Sequence, residues 1–124
     1  MVKQILLLFE FKLISKDNEK IQNNKGRYFL SKKYKDFERL IKDTAFVQMH
    51  NNKISQFEES DNLNMKIFAY FKTKVHPDLF NLPKSLADAL QGIAYHNDRQ
   101  IKEGHIIITE AWKRDSFSVH INKI

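Results

Sequence analysis

The chain has 124 residues, the length of one domain, with 42% hydrophobic residues and a net charge of +6 at neutral pH. It contains no cysteine, which excludes a disulfide scaffold, a thiol nucleophile and a cysteine-ligated zinc or iron–sulfur site. No apolar run approaches the roughly 20 residues that span a bilayer. We therefore expect a cytoplasmic protein without a membrane partner, and the basic charge favours a polyanionic partner.

The first half of the chain predicts a strand, a loop and a helix. Apolar residues at every second position from Ile5 to Leu13 indicate a strand and not a signal peptide. Polar residues from 15 to 26 predict a loop. Ser31 is expected to cap a helix that begins at Lys32, and apolar residues at helical spacing continue that helix: Tyr34, Phe37, Leu40, Ile41 and Ala45. Residues 50–62 are polar and predict a second loop.

The second half predicts a strand, a helix and two further strands. Alternating apolar residues from Met65 to Phe71 indicate the strand. Helical spacing runs from Leu79 to Gln91, with Pro83 in the first turn, where proline is tolerated, and Gly92 at the C-terminal end. The last two strands are expected at about 104–112 and around the alternating residues Phe117, Val119 and Ile121.

The element order is therefore β-α-β-α-β-β over a single domain, residues 1–124. This order predicts a two-layer α+β fold, with a mixed four-stranded sheet and two helices on one of its faces.

Two carboxylates and a lysine flank the second predicted helix. Asp78 precedes it, and the helix is about 20 Å long at the usual rise per residue. The chain from Gly92 to Asp98 can extend over about the same distance, so a reversal at Gly92 would return Asp98 to the side of Asp78, near Lys84. Such an oxygen-lined site suits Mg²⁺. Alternatively, Asp78 is only a helix N-cap and Asp98 an ordinary turn residue.

Residues 77–101 resemble the signature of the RusA family of Holliday-junction resolvases, the crossover junction endodeoxyribonucleases of bacteria and their phages. The family pattern is close to P-D-x-D-N-x-x-K-x-x-x-D-A-L, followed by G-x-x-x-x-D-D-x-Q and Ile or Val. The matching residues are Pro77, Asp78, Asn81, Lys84, Asp88, Ala89, Leu90, Gly92, Asp98, Gln100 and Ile101. The segment around Gly26-Arg27 also resembles the family's entry into its first helix.

The resemblance implies a homodimer that binds branched DNA and cuts four-way junctions symmetrically in recombination and repair, using Mg²⁺, for which Mn²⁺ is a possible substitute. Carried over by position, Asp78 and Asp98 are the metal ligands and Lys84 is the assisting catalytic lysine. The family's second aspartate is replaced by Phe80, which cannot bind a metal ion. Asn81 and Asn97 are the candidates for residues that support the metal ligands, and Asn97 stands where the family has an aspartate.

Three candidates for phosphate contact are Arg27, Lys72 and Lys74. Because Phe80 removes an expected ligand, the resemblance leaves two functions open: a Mg²⁺-dependent resolvase, and a junction-binding protein that cuts weakly or not at all. A third alternative is a domain that has lost the DNA site and binds another protein.

Overall fold

The computed structural model describes residues 3–15, 20–22, 26 and 28–124. Its strands are β1 (Gln4–Phe9), β2 (Lys20–Gln22), β3 (Tyr28–Leu30), β4 (Leu63–Tyr70), β5 (Ile101–Thr109) and β6 (Ser116–Lys123). Its helices are α1 (Lys32–Asn51) and α2 (Leu82–Leu90), and 3-10 turns occupy Leu79–Asn81 and Asp98–Gln100. None of these helices combines the length and apolar character needed to cross a bilayer.

Four strands form one mixed sheet in the order β1-β6-β4-β5. The β1–β6 and β6–β4 pairs are antiparallel, and the β4–β5 pair is parallel. A parallel pair needs a crossover connection, and α2 supplies it between β4 and β5. The predicted α+β fold with a mixed four-stranded sheet is therefore confirmed.

One face of the sheet carries the hydrophobic core. Alternate residues of β1, β4 and β6 are buried, and they pack with the apolar sides of α1 and α2. The rings of Phe9 and Phe117 stack at the centre of this core, with centroids 4.6 Å apart. Alternation places these side chains on one face, which is why both helices cover that face.

The cap of α1 and the positions of Pro83 and Gly92 in the second helix are as the sequence predicts. The Ser31 hydroxyl accepts a hydrogen bond from the Tyr34 N–H at 3.1 Å and caps α1. Pro83 lies in the first turn of α2, where its missing N–H costs no helical hydrogen bond. Gly92 follows α2 with φ +85°, a left-handed conformation that glycine adopts without strain.

Several boundaries differ from the sequence predictions. β2 lies within the predicted 15–26 loop and pairs with β3 in a separate two-stranded sheet. α1 continues through His50 to Asn51, and β5 begins at Ile101 instead of 104. The second helix opens with a 3-10 turn before α2 begins at Leu82, so the α-helical part is shorter than predicted.

Candidate functional site

An open cleft of about 430 Å³ lies between α2 and the sheet at β5. Its lining residues are Met65, Ile67, Pro83, Lys84, Ala87, Asp98, Ile101, Gly104, His105 and Ile106. The cleft is mostly apolar because β4 and β5 turn aliphatic residues toward α2. Gly104 adds no side chain there, and a Cβ built on it meets no atom within 4 Å. Lys84, Asp98 and His105 supply the charged and titratable groups.

Asp98 is held on a tightly bonded 3-10 turn. Its backbone N–H donates to Gln91 Oε1 at 3.0 Å, and Asn97 Oδ1 caps the turn by accepting from the Arg99 N–H at 2.8 Å. The buried Gln100 side chain accepts from the backbone N–H groups of His96 and Asn97 and donates to two carbonyls of the 58–61 segment. The half-buried Asp98 is therefore fixed in place, while the carboxamide oxygen of Asn97 is engaged in capping.

The charge of Asp98 acts on the neighbouring buried Tyr95. Burial, and then the carboxylates of Asp98 and Asp88, raise the pKa of Tyr95 because each disfavours a phenolate. The Tyr95 hydroxyl donates to the Ala87 carbonyl at 2.6 Å. Tyr95 is thus a neutral group that ties the Asp98 segment to α2, and it offers no base to the cleft.

Asp78 is exposed and directly precedes the 3-10 turn that leads into α2. Its side chain makes no capping hydrogen bond, so the alternative role as a helix N-cap is not found. The next polar residue, Asn81, is half-buried and also makes no side-chain capping bond. Asp78 therefore leaves its carboxylate available at the surface.

Of the two candidate aspartates, Asp98 lines the cleft and Asp78 does not. The chain that follows Gly92 begins with a compact turn and is not fully extended. The Gly92 N–H donates to the Tyr95 carbonyl at 2.8 Å, and the Ala94 N–H donates to the Leu90 carbonyl at 3.0 Å. Asp98 lines the cleft together with Pro83 and Lys84 of the first turns of α2, so the structure brings Asp98 and Lys84 to one site.

This chain offers two of the three carboxylates that the family resemblance implies for a Mg²⁺ site. Mg²⁺ binds one or two carboxylates and keeps its remaining ligands for water and phosphate, so Asp78 and Asp98 are the residues of this chain that would hold it, with Phe80 at the third position. Across the described residues, no cluster of three or more His, Asp or Glu side chains could hold a metal ion.

Two of the three residues that are predicted to contact phosphate lie in the part of the chain that the structure describes. Lys72 and Lys74 are exposed in the segment that connects β4 to Asp78. The backbone N–H of Lys72 donates to Asp115 Oδ1 at 2.9 Å, which attaches this segment to the β5–β6 connection. Arg27 lies outside the described residues.

Sequence reasoning missed a second anchor of the same segment, the pair formed by His76 and Glu110. His76 Nε2 lies 2.6 Å from the Glu110 carboxylate, and Nδ1 lies 2.9 Å from the Pro77 carbonyl oxygen. The imidazole also stacks on Phe71, with ring centroids 4.5 Å apart. The hydrogen bond to the Pro77 carbonyl, followed by that to Glu110, raises the pKa of His76. Only the protonated ring can donate to both acceptors.

The model of the Endodeoxyribonuclease RusA family matches residues 10–122 of this chain. The match includes the Asp78–Asp98 segment and spans almost every element of the fold. A search of curated proteins found no match. The family match agrees with the motif residues around the cleft and with the order of strands and helices, and on this evidence the chain belongs to the RusA family of endodeoxyribonucleases.

Proposed function

We propose that this protein binds four-way DNA junctions and acts on them in recombination and repair, in the cytoplasm where such DNA is formed. The observation that carries the proposal is the family match over residues 10–122. It is supported by the basic charge of the chain and by the exposed cations Lys72, Lys74 and Lys84 around the motif, which form no ion pair within the described ranges. The family itself is one of junction-resolving endodeoxyribonucleases.

Resolution of the junction by cleavage is the activity that family membership supports. The residues that this chain offers for it are Asp78, Asp98 and Lys84, with Mg²⁺, or Mn²⁺ in its place, as the cation expected from the family. The carboxylates and the lysine have no ion-pair partner among the described residues, so they are available to a ligand. Because Phe80 leaves only two of the three carboxylates, we expect cleavage to be weak compared with a site that has three carboxylates.

Junction binding without cleavage is the second candidate function. Phe80 favours it, because a phenyl ring stands where the family places a metal-binding aspartate. Loss of even an outer partner around a metal typically reduces affinity or activity 10- to 100-fold, and a lost direct ligand is expected to cost at least as much. Both candidates share the same DNA-binding step.

We further propose that two copies pair through β5. This strand is an edge of the four-stranded sheet, and the Thr109 carbonyl accepts from the Phe71 N–H at 2.9 Å. In a parallel ladder alternate residues bond to the neighbouring strand, so the backbone groups of Gly104 and Ile106 point away from β4. Antiparallel pairing about Gly104 would set Glu103 of each copy opposite His105 of the other, a complementary arrangement compatible with two-fold symmetry.

The discriminating experiment is incubation of a labelled immobile four-way junction with the protein, with EDTA, Mg²⁺ or Mn²⁺, followed by native and denaturing gels. Paired symmetric nicks that require the cation would establish a resolvase. A retarded junction without nicks would establish the binding protein. Equal affinity for the junction and for a duplex of the same arm sequence would contradict junction recognition altogether.

A further inference from the structure

Phe80 is the most exposed large apolar side chain that the structure describes, at 89%. It is the middle residue of the 3-10 turn that leads into α2. Single apolar residues on a surface need no explanation in general. Phe80 differs from such residues because it occupies a motif position two residues after Asp78 and its side chain is almost wholly exposed to solvent.

The turn that carries the ring is well supported. The Asn81 N–H donates to the Asp78 carbonyl at 3.0 Å, Leu82 is fully buried, and Pro83 restricts the backbone at the start of α2. The ring is therefore presented by an ordered backbone. A contact made there loses little conformational entropy on binding, which favours its use in recognition.

A cation lies one helical turn beyond the ring. Asn81 and Leu82 both have right-handed helical dihedral angles, so the 3-10 turn continues into α2 without a break. Residues four positions apart then lie on the same side of the helix, which places Lys84 next to Phe80. Lys84 is exposed, and its ammonium has no ion-pair partner in the part of the chain that the structure describes.

A phenyl ring and an ammonium in this arrangement complement one nucleotide. Aromatic side chains stack on unpaired bases whatever their sequence, and lysines contact the backbone phosphates. The nearby carboxylate of Asp78 opposes a phosphate at the ring itself, whereas a base is uncharged. The charge distribution therefore favours a base at Phe80 and a phosphate at Lys84.

We propose that Phe80 stacks on an unpaired base at the branch point of a four-way junction while Lys84 contacts an adjacent phosphate. The inference rests on the proposed junction binding and specifies how this site recognises branched DNA. In a continuous duplex the bases are paired and stacked on each other. The ring then contributes to binding of the junction and not of the duplex, whereas Lys84 contributes to both.

The test uses an immobile junction with 2-aminopurine at the branch point, a matched duplex, and the full chain carrying Phe80→Ala, Phe80→Leu or Phe80→Trp. Alanine and leucine are expected to weaken junction binding about 5- to 100-fold and to leave duplex binding unchanged. Tryptophan is expected to retain junction affinity and to quench the 2-aminopurine fluorescence. Leucine is the informative variant, because it keeps apolar bulk but has no aromatic face.

Phe46→Ala is the matched control, since Phe46 is a 63% exposed phenylalanine in α1, outside the cleft, and it should not change binding. Wild-type junction affinity in Phe80→Leu would overturn the inference while leaving the proposed function intact. A change of oligomeric state in Phe80→Ala that accounts for the lost affinity would also overturn it, and would assign the ring to an interface between copies. Failure of the wild-type chain to bind junctions would overturn the proposed function itself.

Discussion

Gln48 of α1 hydrogen-bonds to both backbone groups of Leu8 on the outer edge of β1. Its Oε1 accepts from the Leu8 N–H at 2.9 Å, and its Nε2 donates to the Leu8 carbonyl at 2.5 Å. The carboxamide thereby takes the place of a neighbouring strand. One residue of the β1 edge therefore has both backbone groups satisfied by a side chain, whereas the β5 edge has no such contact among the described residues.

Gln48→Ala is expected to lower the free energy of unfolding by about 1–3 kcal/mol, since it removes two hydrogen bonds that each contribute about 0.5–1.5 kcal/mol. Gln48→Glu keeps the size but directs a carboxylate oxygen at the Leu8 carbonyl, so it should destabilise at least as much. Urea denaturation measures both. Val47→Ala, at an exposed neighbouring position, should change stability by less than about 0.5 kcal/mol. Equal effects at 47 and 48 would contradict the edge role of Gln48.

Gly104→Pro tests the pairing of two copies through β5. Proline removes an N–H that points away from β4 and therefore spares the hydrogen bonds of the sheet. Space is open at this position. The variant is expected to sediment as a monomer under conditions in which the wild type and Gly104→Ala sediment as dimers. A dimeric Gly104→Pro chain would place the interface elsewhere, and a monomeric wild type would contradict the dimer itself.

His76 is expected to stabilise the fold in a pH-dependent manner. Its folded-state pKa is raised above the ordinary value of 6.5 by its hydrogen bonds to the Pro77 carbonyl and to Glu110. The stabilisation is therefore complete below that ordinary value and is lost as the pH rises through the raised value. His76→Gln should reduce the free energy of unfolding more at about pH 6 than at about pH 9. Glu110→Gln should reduce this pH dependence, and a pH-independent loss would show that packing on Phe71 is the main contribution.

Most of the fold could be predicted from the sequence because its core is built from regular patterns. Alternation in β1, β4 and β6 and helical spacing in α1 and α2 follow directly from which side chains face the core. The sequence does not predict the β2–β3 pair, because strands of three residues are too short to show a hydrophobic period. The start of β5 was misplaced because Lys102, Glu103 and His105 of this edge strand are exposed and do not alternate with buried residues.

The candidate site was only partly predictable. The motif identified Asp78, Lys84 and Asp98, but the path from Gly92 to Asp98 depends on hydrogen bonds within a turn. Chain length sets only the maximum distance that a segment can span. The His76–Glu110 pair joins residues 34 positions apart, and no local pattern indicates it.

Replacing Lys72 and Lys74 together by alanine tests the phosphate contacts. The double variant is expected to bind the junction and the duplex more weakly, and to lower the slope of log affinity against log salt concentration by about 2, since each lost phosphate contact contributes about 1. Lys66→Ala, at an exposed position of β4, is the control. An equal loss of affinity per lysine in that control would attribute binding to total charge and not to this segment.

Phe80→Asp tests whether the missing carboxylate is what limits a metal site. The new side chain would lie two residues from the carboxylate of Asp78, and a restored ligand is expected to raise Mn²⁺ affinity, and the rate of cation-dependent cleavage at protein concentrations that saturate the junction, by at least about 10-fold. Calorimetry and the gel assay measure the two effects. Phe80→Asn is the uncharged control and should raise Mn²⁺ affinity and cleavage less than Phe80→Asp does. Adding Asp78→Asn to Phe80→Asp should abolish the increase in both. If Phe80→Asp gains neither metal affinity nor cleavage, the site differs from the family's at more than this one residue, and the phenyl ring is not what limits metal binding.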